Sequence, residues 1–129
     1  MVVRIMGLLL VPTTLRRITL TNLLSFGPEP VTLELQNLNI LIGPNGSGKS
    51  NLIEAISLLR STPVSRRESE GHLAGTILRG GGAAELIWKG SKGNPASIEV
   101  EVSDTERSGA IKHKFSFNGG INRIGFIPR

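Results

Sequence analysis

The chain has 129 residues, enough for one domain with a real core, and its 39% hydrophobic content rules out the low-hydrophobicity signature of disorder. With no cysteine, disulfides and thiolate metal sites are excluded, which fits a reducing, cytoplasmic setting. Fifteen basic residues against ten acidic give a net charge of +5, which favours polyanions as partners; the arginines are scattered, as on a solvated surface, rather than gathered into a stripe.

The opening stretch, Met1 to Val11, is apolar and resembles a weak leader. Its run is short, though, and Pro12-Thr13-Thr14 offers no cleavage site of small residues. Residues 1–13 therefore read as a loose extension. Arg16 to Asn22 alternates apolar and polar residues like a half-buried strand, and Ser25 to Pro30 is dense in turn formers. Val31 to Leu35 alternates again, so a hairpin is expected. Leu38 to Ile42 is almost wholly apolar, the pattern of a strand covered on both faces.

Lys49 to Arg60 reads as a helix. Leu52, Ile56 and Leu59 recur at helical spacing, and Ile53 and Leu58 widen the apolar surface, so the helix is expected to lie between other elements. Thr62-Pro63 ends it. Residues 61–84 read as a connector that includes a short helix over His72 to Arg79, stopped by Gly80-Gly81-Gly82. Glu85 to Lys89, Ser97 to Ser103 and Ile111 to Phe117 read as the strands of an incomplete antiparallel subdomain, 85–129, with Asn118-Gly119 as a tight hairpin turn.

Gly43-Pro44-Asn45-Gly46-Ser47-Gly48-Lys49-Ser50 matches the Walker A pattern G-x-x-x-x-G-K-[ST] in full. Its glycines can take angles that side chains forbid, so successive main-chain amides turn inward on an anion. The helix that follows presents its unsatisfied N-terminal amides to the same point. Lys49 supplies an ammonium for the β and γ phosphates, and the Ser50 hydroxyl is suited to Mg²⁺. An apolar strand before the loop and a helix after it are the context the motif requires.

Asn22-Leu23-Leu24-Ser25-Phe26-Gly27, followed by the run from Asn39 through the loop to Ile56, resembles the amino-terminal segment of the SMC/RecF-type ABC ATPases. It is similar within that group to bacterial AAA-type ATPases of the RecF-like and OLD-like kind. The likeness is firm over 15–60 and loose over 72–126. It implies an α/β P-loop NTPase fold, the N-terminal lobe of an ABC-ATPase head over 14–129, with the Walker A strand and helix (14–60) beside an antiparallel β-subdomain. ATP and Mg²⁺ are the implied cofactors, held by Gly43 to Ser50 with Asn51, and Ser50 is the implied metal ligand. A head-to-head dimer that sandwiches ATP is the implied assembly, and Ser25 and Phe26 are candidates to lie near the base.

No catalytic residue is assigned. Hydrolysis needs a Walker B carboxylate after an apolar strand and an acid that orients water. The only aspartate, Asp104, follows an alternating stretch and reads as a turn residue. No signature sequence of the Leu-Ser-Gly-Gly-Gln kind is present. Gln36 precedes the loop, and neither His72 nor His113 has acidic neighbours at a catalytic spacing. A truncated ATPase lobe, inactive alone, is the expectation. A standalone nucleotide-binding module completed by a partner, and a DNA-associated protein, remain open as alternatives.

Overall fold

The computed structural model describes residues 4–8, 15–60, 81–104, 109–119 and 125–127, with the backbone alone at 4–8, 104 and 125–127. The helix expected at His72 to Arg79 lies outside these residues.

Leu15–Thr21 (β2) pairs antiparallel with Val31–Glu34 (β3), as the two alternating stretches dictate, with Ile18 opposite Leu33 and Leu20 opposite Val31. The chain turns between them through a knuckle in which Leu23 and Phe26 exchange backbone hydrogen bonds of 2.9 and 2.8 Å. Asn22 and Leu24 take positive φ there, 51° and 53°. Asparagine tolerates that region, whereas leucine is strained in it. The Leu24 amide is held by the Leu86 carbonyl at 2.6 Å, and the buried Leu23 and Phe26 anchor the turn into the core.

On its other edge β2 pairs with Ala96–Asp104 (β5), which pairs with Gly109–Phe117 (β6) and so with Gly125–Ile127 (β7). The sheet order is β3-β2-β5-β6-β7, antiparallel throughout. Arg16 is an extra residue in β2: Leu15 faces Val102 and Arg17 faces Glu101, so a bulge keeps Leu15 and Ile18 on the same side. Ile98 and Val100 are buried and Glu99 and Glu101 turn the other way, as their alternation predicts. Asp104 is the last residue of β5, opposite Gly109.

Helix α1, Lys49–Arg60, buries Leu52, Ala55 and Leu58 against the apolar face of this sheet, in one cluster with Ile18, Leu20, Ile98, Phe115 and Phe117. Complete burial of each large aliphatic side chain is worth about 1.5–3 kcal/mol. The opposite side of α1 is wet: Ile53 is 57% exposed. The helix is therefore amphipathic rather than enclosed, because the cluster covers only one of its faces. No described helix is long and apolar enough to cross a membrane.

Leu38–Ile42 (β4) forms a separate two-stranded sheet with Arg4–Leu8 (β1), Gly7 opposite Asn39 and Ile5 opposite Leu41. Part of the stretch read as a loose extension is thus a paired strand. Nor is β4 covered on both faces. Leu41 packs on the core, while Leu38, Ile40 and Ile42 are 52%, 50% and 51% exposed.

Two further expectations need correction. Ala83–Leu86 is a short helix, α2, rather than the start of a strand; beyond it Ile87 makes only an isolated bridge to Leu23. Alanine, glutamate and leucine are strong helix formers, and their preference wins where no neighbouring strand pairs with them. Asn118-Gly119 is not a two-residue hairpin turn, since the register sets Ser116 opposite Gly125 and leaves a longer connection.

Candidate functional site

The site begins with a brace. The Asn39 side chain donates to the Gln36 carbonyl at 2.6 Å and accepts from the Gln36 amide at 2.9 Å, fixing how the chain enters β4. Nothing in the apolar pattern of Leu38–Ile42 signals this brace; it is the hydrogen-bonding capacity of an asparagine side chain at a turn that makes it possible.

At Ile42 the strand ends and the loop Gly43–Gly48 rises from it into α1. Gly46 and Gly48 take φ of 80° and 93°, the left-handed region in which a side chain would be strained. A tight turn runs through Asn45 and Gly46, the Ser47 amide donating to the Pro44 carbonyl at 3.2 Å. The first helical bond follows at once, from the Leu52 amide to the Gly48 carbonyl at 2.9 Å. The first amides of a helix have no partner within it, and the positive end of its dipole lies with them.

Lys49 folds back over the loop. Its ammonium donates to the Gly43 carbonyl at 2.6 Å, to the Pro44 carbonyl at 2.7 Å and to the Ser47 hydroxyl at 3.3 Å. An ammonium has three N–H donors, so all of them have an acceptor here. Beside it lies a cleft of about 320 Å³ lined by Asn45, Gly46, Gly48, Lys49, Ser50 and Asn51. That is the small end of the range for ligand sites. Among the described residues Lys49 is the only charged one in the lining, which makes that lining electropositive.

The nine residues singled out from the sequence thus divide in two. Six line the cleft, while Gly43, Pro44 and Ser47 supply the oxygens that hold Lys49. Of the two residues considered for a base contact, Ser25 is exposed at the tip of the knuckle. Phe26, only 1% exposed, is core. Asp104 belongs to the five-stranded sheet, not to the sheet that carries the loop. Gln36 sits in the turn before β4, and His113 is exposed on β6. Among the described residues no group of three or more His, Asp or Glu could hold a metal ion.

Comparison with known proteins agrees with this architecture. The family profile described as "AAA domain, putative AbiEii toxin, Type IV TA system" matches residues 38–126. The DNA replication and repair protein RecF of Limosilactobacillus fermentum is 30% identical over 96 residues, 70% of this chain and 25% of that protein. The chromosome partition protein Smc of Halothermothrix orenii is 31% identical over 98 residues, 72% of this chain and 7% of Smc. For Smc of Desulfitobacterium hafniense the identity is 38% over 93 residues, 71% of this chain and again 7% of Smc. The chain therefore spans a quarter of the RecF protein and less than a tenth of either Smc.

A solved chain from work on the "structural biochemistry of ATP-driven dimerization and DNA stimulated activation of SMC ATPases" superposes with a TM-score of 0.65, covering 90% of this chain and 70% of that one. At 20% identity that likeness speaks to the fold, an α/β P-loop NTPase head lobe. With most of its length matched by the AAA-domain profile and relatives in both the RecF and Smc proteins, the chain belongs to the AAA-domain family of SMC/RecF-type ABC ATPases.

Proposed function

We propose that this chain is the ATP- and Mg²⁺-binding part of such an ATPase, with the phosphate cradle in place and the hydrolytic acid supplied from outside the described residues. The observation that carries the reading is the loop itself: Gly46 and Gly48 at positive φ, α1 starting at Lys49, and an electropositive cleft bounded by both. The donor set fits a triphosphate. Main-chain amides and the Lys49 ammonium take phosphate oxygens, Lys49 the β and γ groups, and Asn45 and Asn51 add amide donors at the rim.

Ser50 is exposed and begins the helix with Lys49, so its hydroxyl is free to ligate Mg²⁺. Mg²⁺ commonly uses few protein ligands and completes its shell with water and phosphate oxygens, which suits a site without a carboxylate cluster. When bound, the ion neutralises charge on the β and γ phosphates. Lys49 has a second task. It must exchange at least one of its three loop acceptors for a phosphate oxygen, so filling the cleft loosens the loop's own clasp.

Among the described residues no carboxylate lines the cleft, so no group that would orient the attacking water is found there. Binding without turnover is therefore the expected activity of this chain, with the rest of an ATPase head or a second head completing the site. The solved SMC neighbour is described by ATP-driven dimerization and DNA stimulation. We carry both to this protein as part of the proposal, DNA being favoured also by the net charge of +5.

Calorimetric titration of Mg-ATP into the purified chain, beside Lys49→Ala, tests the reading. Saturable binding in the wild type and its loss in the variant support it; equal heats from both would remove the loop from the account. A steady ATPase rate that Lys49→Ala abolishes would overturn the claim that the acid comes from elsewhere.

A further inference from the structure

The strand that carries the phosphate loop is held along one edge by residues near the start of the chain. β1 and β4 form a sheet of their own, apart from the five-stranded one. Their antiparallel register pairs every residue of β4, from Leu38 opposite Leu8 to Ile42 opposite Arg4. β1 lies outside residues 38–126, the stretch that the AAA-domain profile matches, so the ladder joins a segment beyond the profile to the strand at which the profile begins.

The register puts the end of the ladder at the foot of the loop. Ile42 is the last residue of β4, and the carbonyl of the next residue, Gly43, takes the Lys49 ammonium at 2.6 Å. Ladder and clasp therefore act on adjoining peptide units. Pairing fixes the φ and ψ of a strand, and with them the direction in which the following carbonyl points. Pro44 and Ser47 accept from the same ammonium, so a swing of the Gly43 carbonyl disturbs the whole clasp. A binding constellation must be held to within about 0.5 Å. The Asn39 brace fixes the entry to β4, and β1 holds its exit. A two-stranded sheet is only marginally stable by itself, so this ladder can open while the five-stranded sheet and its core with α1 stay folded.

We propose that residues 4–8 are a positioning strap for the phosphate loop: paired along β4 they keep the Gly43 carbonyl in register with Lys49, and when the ladder opens the loop loses affinity for a triphosphate. This rests on the reading of the loop as a triphosphate site and gives that site a regulator.

Calorimetric titration of Mg-ATP into the full chain tests it, with three variants beside the wild type. Ile5→Pro with Met6→Pro breaks the strap, because neighbouring residues of a strand point their amides to opposite sides and one of the two prolines must remove a ladder donor. Met6→Cys with Ile40→Cys locks it. The chain has no cysteine of its own, and facing Cα atoms of an antiparallel pair stand about 4.5–5.5 Å apart, within disulfide reach. Lys49→Ala marks binding at the loop. The expected result is binding weakened about 10-fold or more by the prolines, kept within about threefold of wild type in the oxidised cysteine variant, and lost in Lys49→Ala. The urea midpoint read by Trp88, whose ring lies against Gly27, should not move in the proline variant. Affinity unchanged by the prolines, with binding still lost in Lys49→Ala, overturns the strap and leaves the phosphate site standing. So does a Trp88 midpoint that falls along with the affinity, since the fold and not the loop has then failed. An oxidised cysteine pair that binds about 10-fold more weakly than the reduced pair means that β1 must leave β4 for nucleotide to enter, and it overturns the proposal too. No binding by the wild type overturns both readings.

Discussion

The Lys49 ammonium donates to the Gly43 carbonyl across 2.6 Å, tying the first residue of α1 to the residue just beyond the end of β4. The bond crosses the loop and closes it. Pro44 and Ser47 accept from the same nitrogen, so three acceptors converge on one compact cation. Lysine suits this because its donors radiate from a point, whereas the guanidinium of arginine is a flat fork. Lys49→Arg keeps the charge and is nonetheless expected to weaken Mg-ATP binding by about 10-fold or more, the worth of one lost charge-assisted hydrogen bond. Equal affinity of wild type and Lys49→Arg by calorimetry would reduce Lys49 to a source of charge alone.

Two glycines flank the Trp88 ring and should respond differently to the same substitution. A Cβ at Gly27 would meet the ring at 3.7 Å, an ordinary contact, while one at Gly90 would meet it at 2.4 Å. Gly90→Ala must therefore push a half-buried indole out of its seat, an overpacking cost of about 1–3 kcal/mol. Gly27→Ala should stay within about 0.5 kcal/mol of the parent, as substitutions without a clash do. Urea midpoints measure both, and the Trp88 emission maximum should move only in Gly90→Ala. If Gly27→Ala is the more damaging of the two, the ring does not sit as described.

Local chemistry made much of this legible. The loop from Gly43 to Ser50 announces itself because each residue type answers a steric or electrostatic demand of a phosphate cradle. The β2–β3 hairpin and the Ile98-Val100 face of β5 follow from alternation, a property of neighbours in sequence. The failures have another origin. Arg4–Leu8 read as part of a loose extension, because its pairing with Leu38–Ile42 joins segments far apart in the chain and leaves no local trace. Ile87 suggested a strand, but the residues before it are helix formers and its bridge is to Leu23 alone. Phe26 could be core or ligand contact by pattern; only the packing of the knuckle on Leu86 and the sheet decides. The almost wholly apolar run of β4 implied cover on both faces, yet composition cannot say what is present to provide it.

Arg17 gives a prediction in pH. Its guanidinium donates to Glu34 at 2.6 and 2.9 Å and reaches Glu101 at 3.4 Å across three strands. The hydrogen bond to Glu34 and the charges of Glu34 and Glu101 raise its pKa further above an already high ordinary value. A raised cationic pKa adds stability that is fully present below the unfolded-state value and is lost only as pH climbs through the folded one. That window lies beyond the range where the protein would be handled. The difference in urea midpoint between wild type and Arg17→Met should therefore be constant from about pH 6 to pH 9. A difference that shrinks across this interval would mean that some other group, not Arg17, governs the ladder.

The exposed side of β4 yields the last expectation. Leu38, Ile40 and Ile42 alternate along one face and each is about half exposed, so a polar replacement there gives up little burial. Threonine also keeps the branching that strands favour. Ile40→Thr should cost about 1 kcal/mol or less, since only part of the side chain leaves an apolar setting. Leu58→Ala, in the cluster beneath the five-stranded sheet and 2% exposed, should cost about 2–5 kcal/mol through the cavity it leaves. Because an exposed apolar strand is also a site of self-association, Ile40→Thr with Ile42→Thr should raise the concentration at which the chain stays monomeric in sedimentation. Should Ile40→Thr prove as costly as Leu58→Ala, β4 is covered in solution, and the face is part of a core rather than a surface.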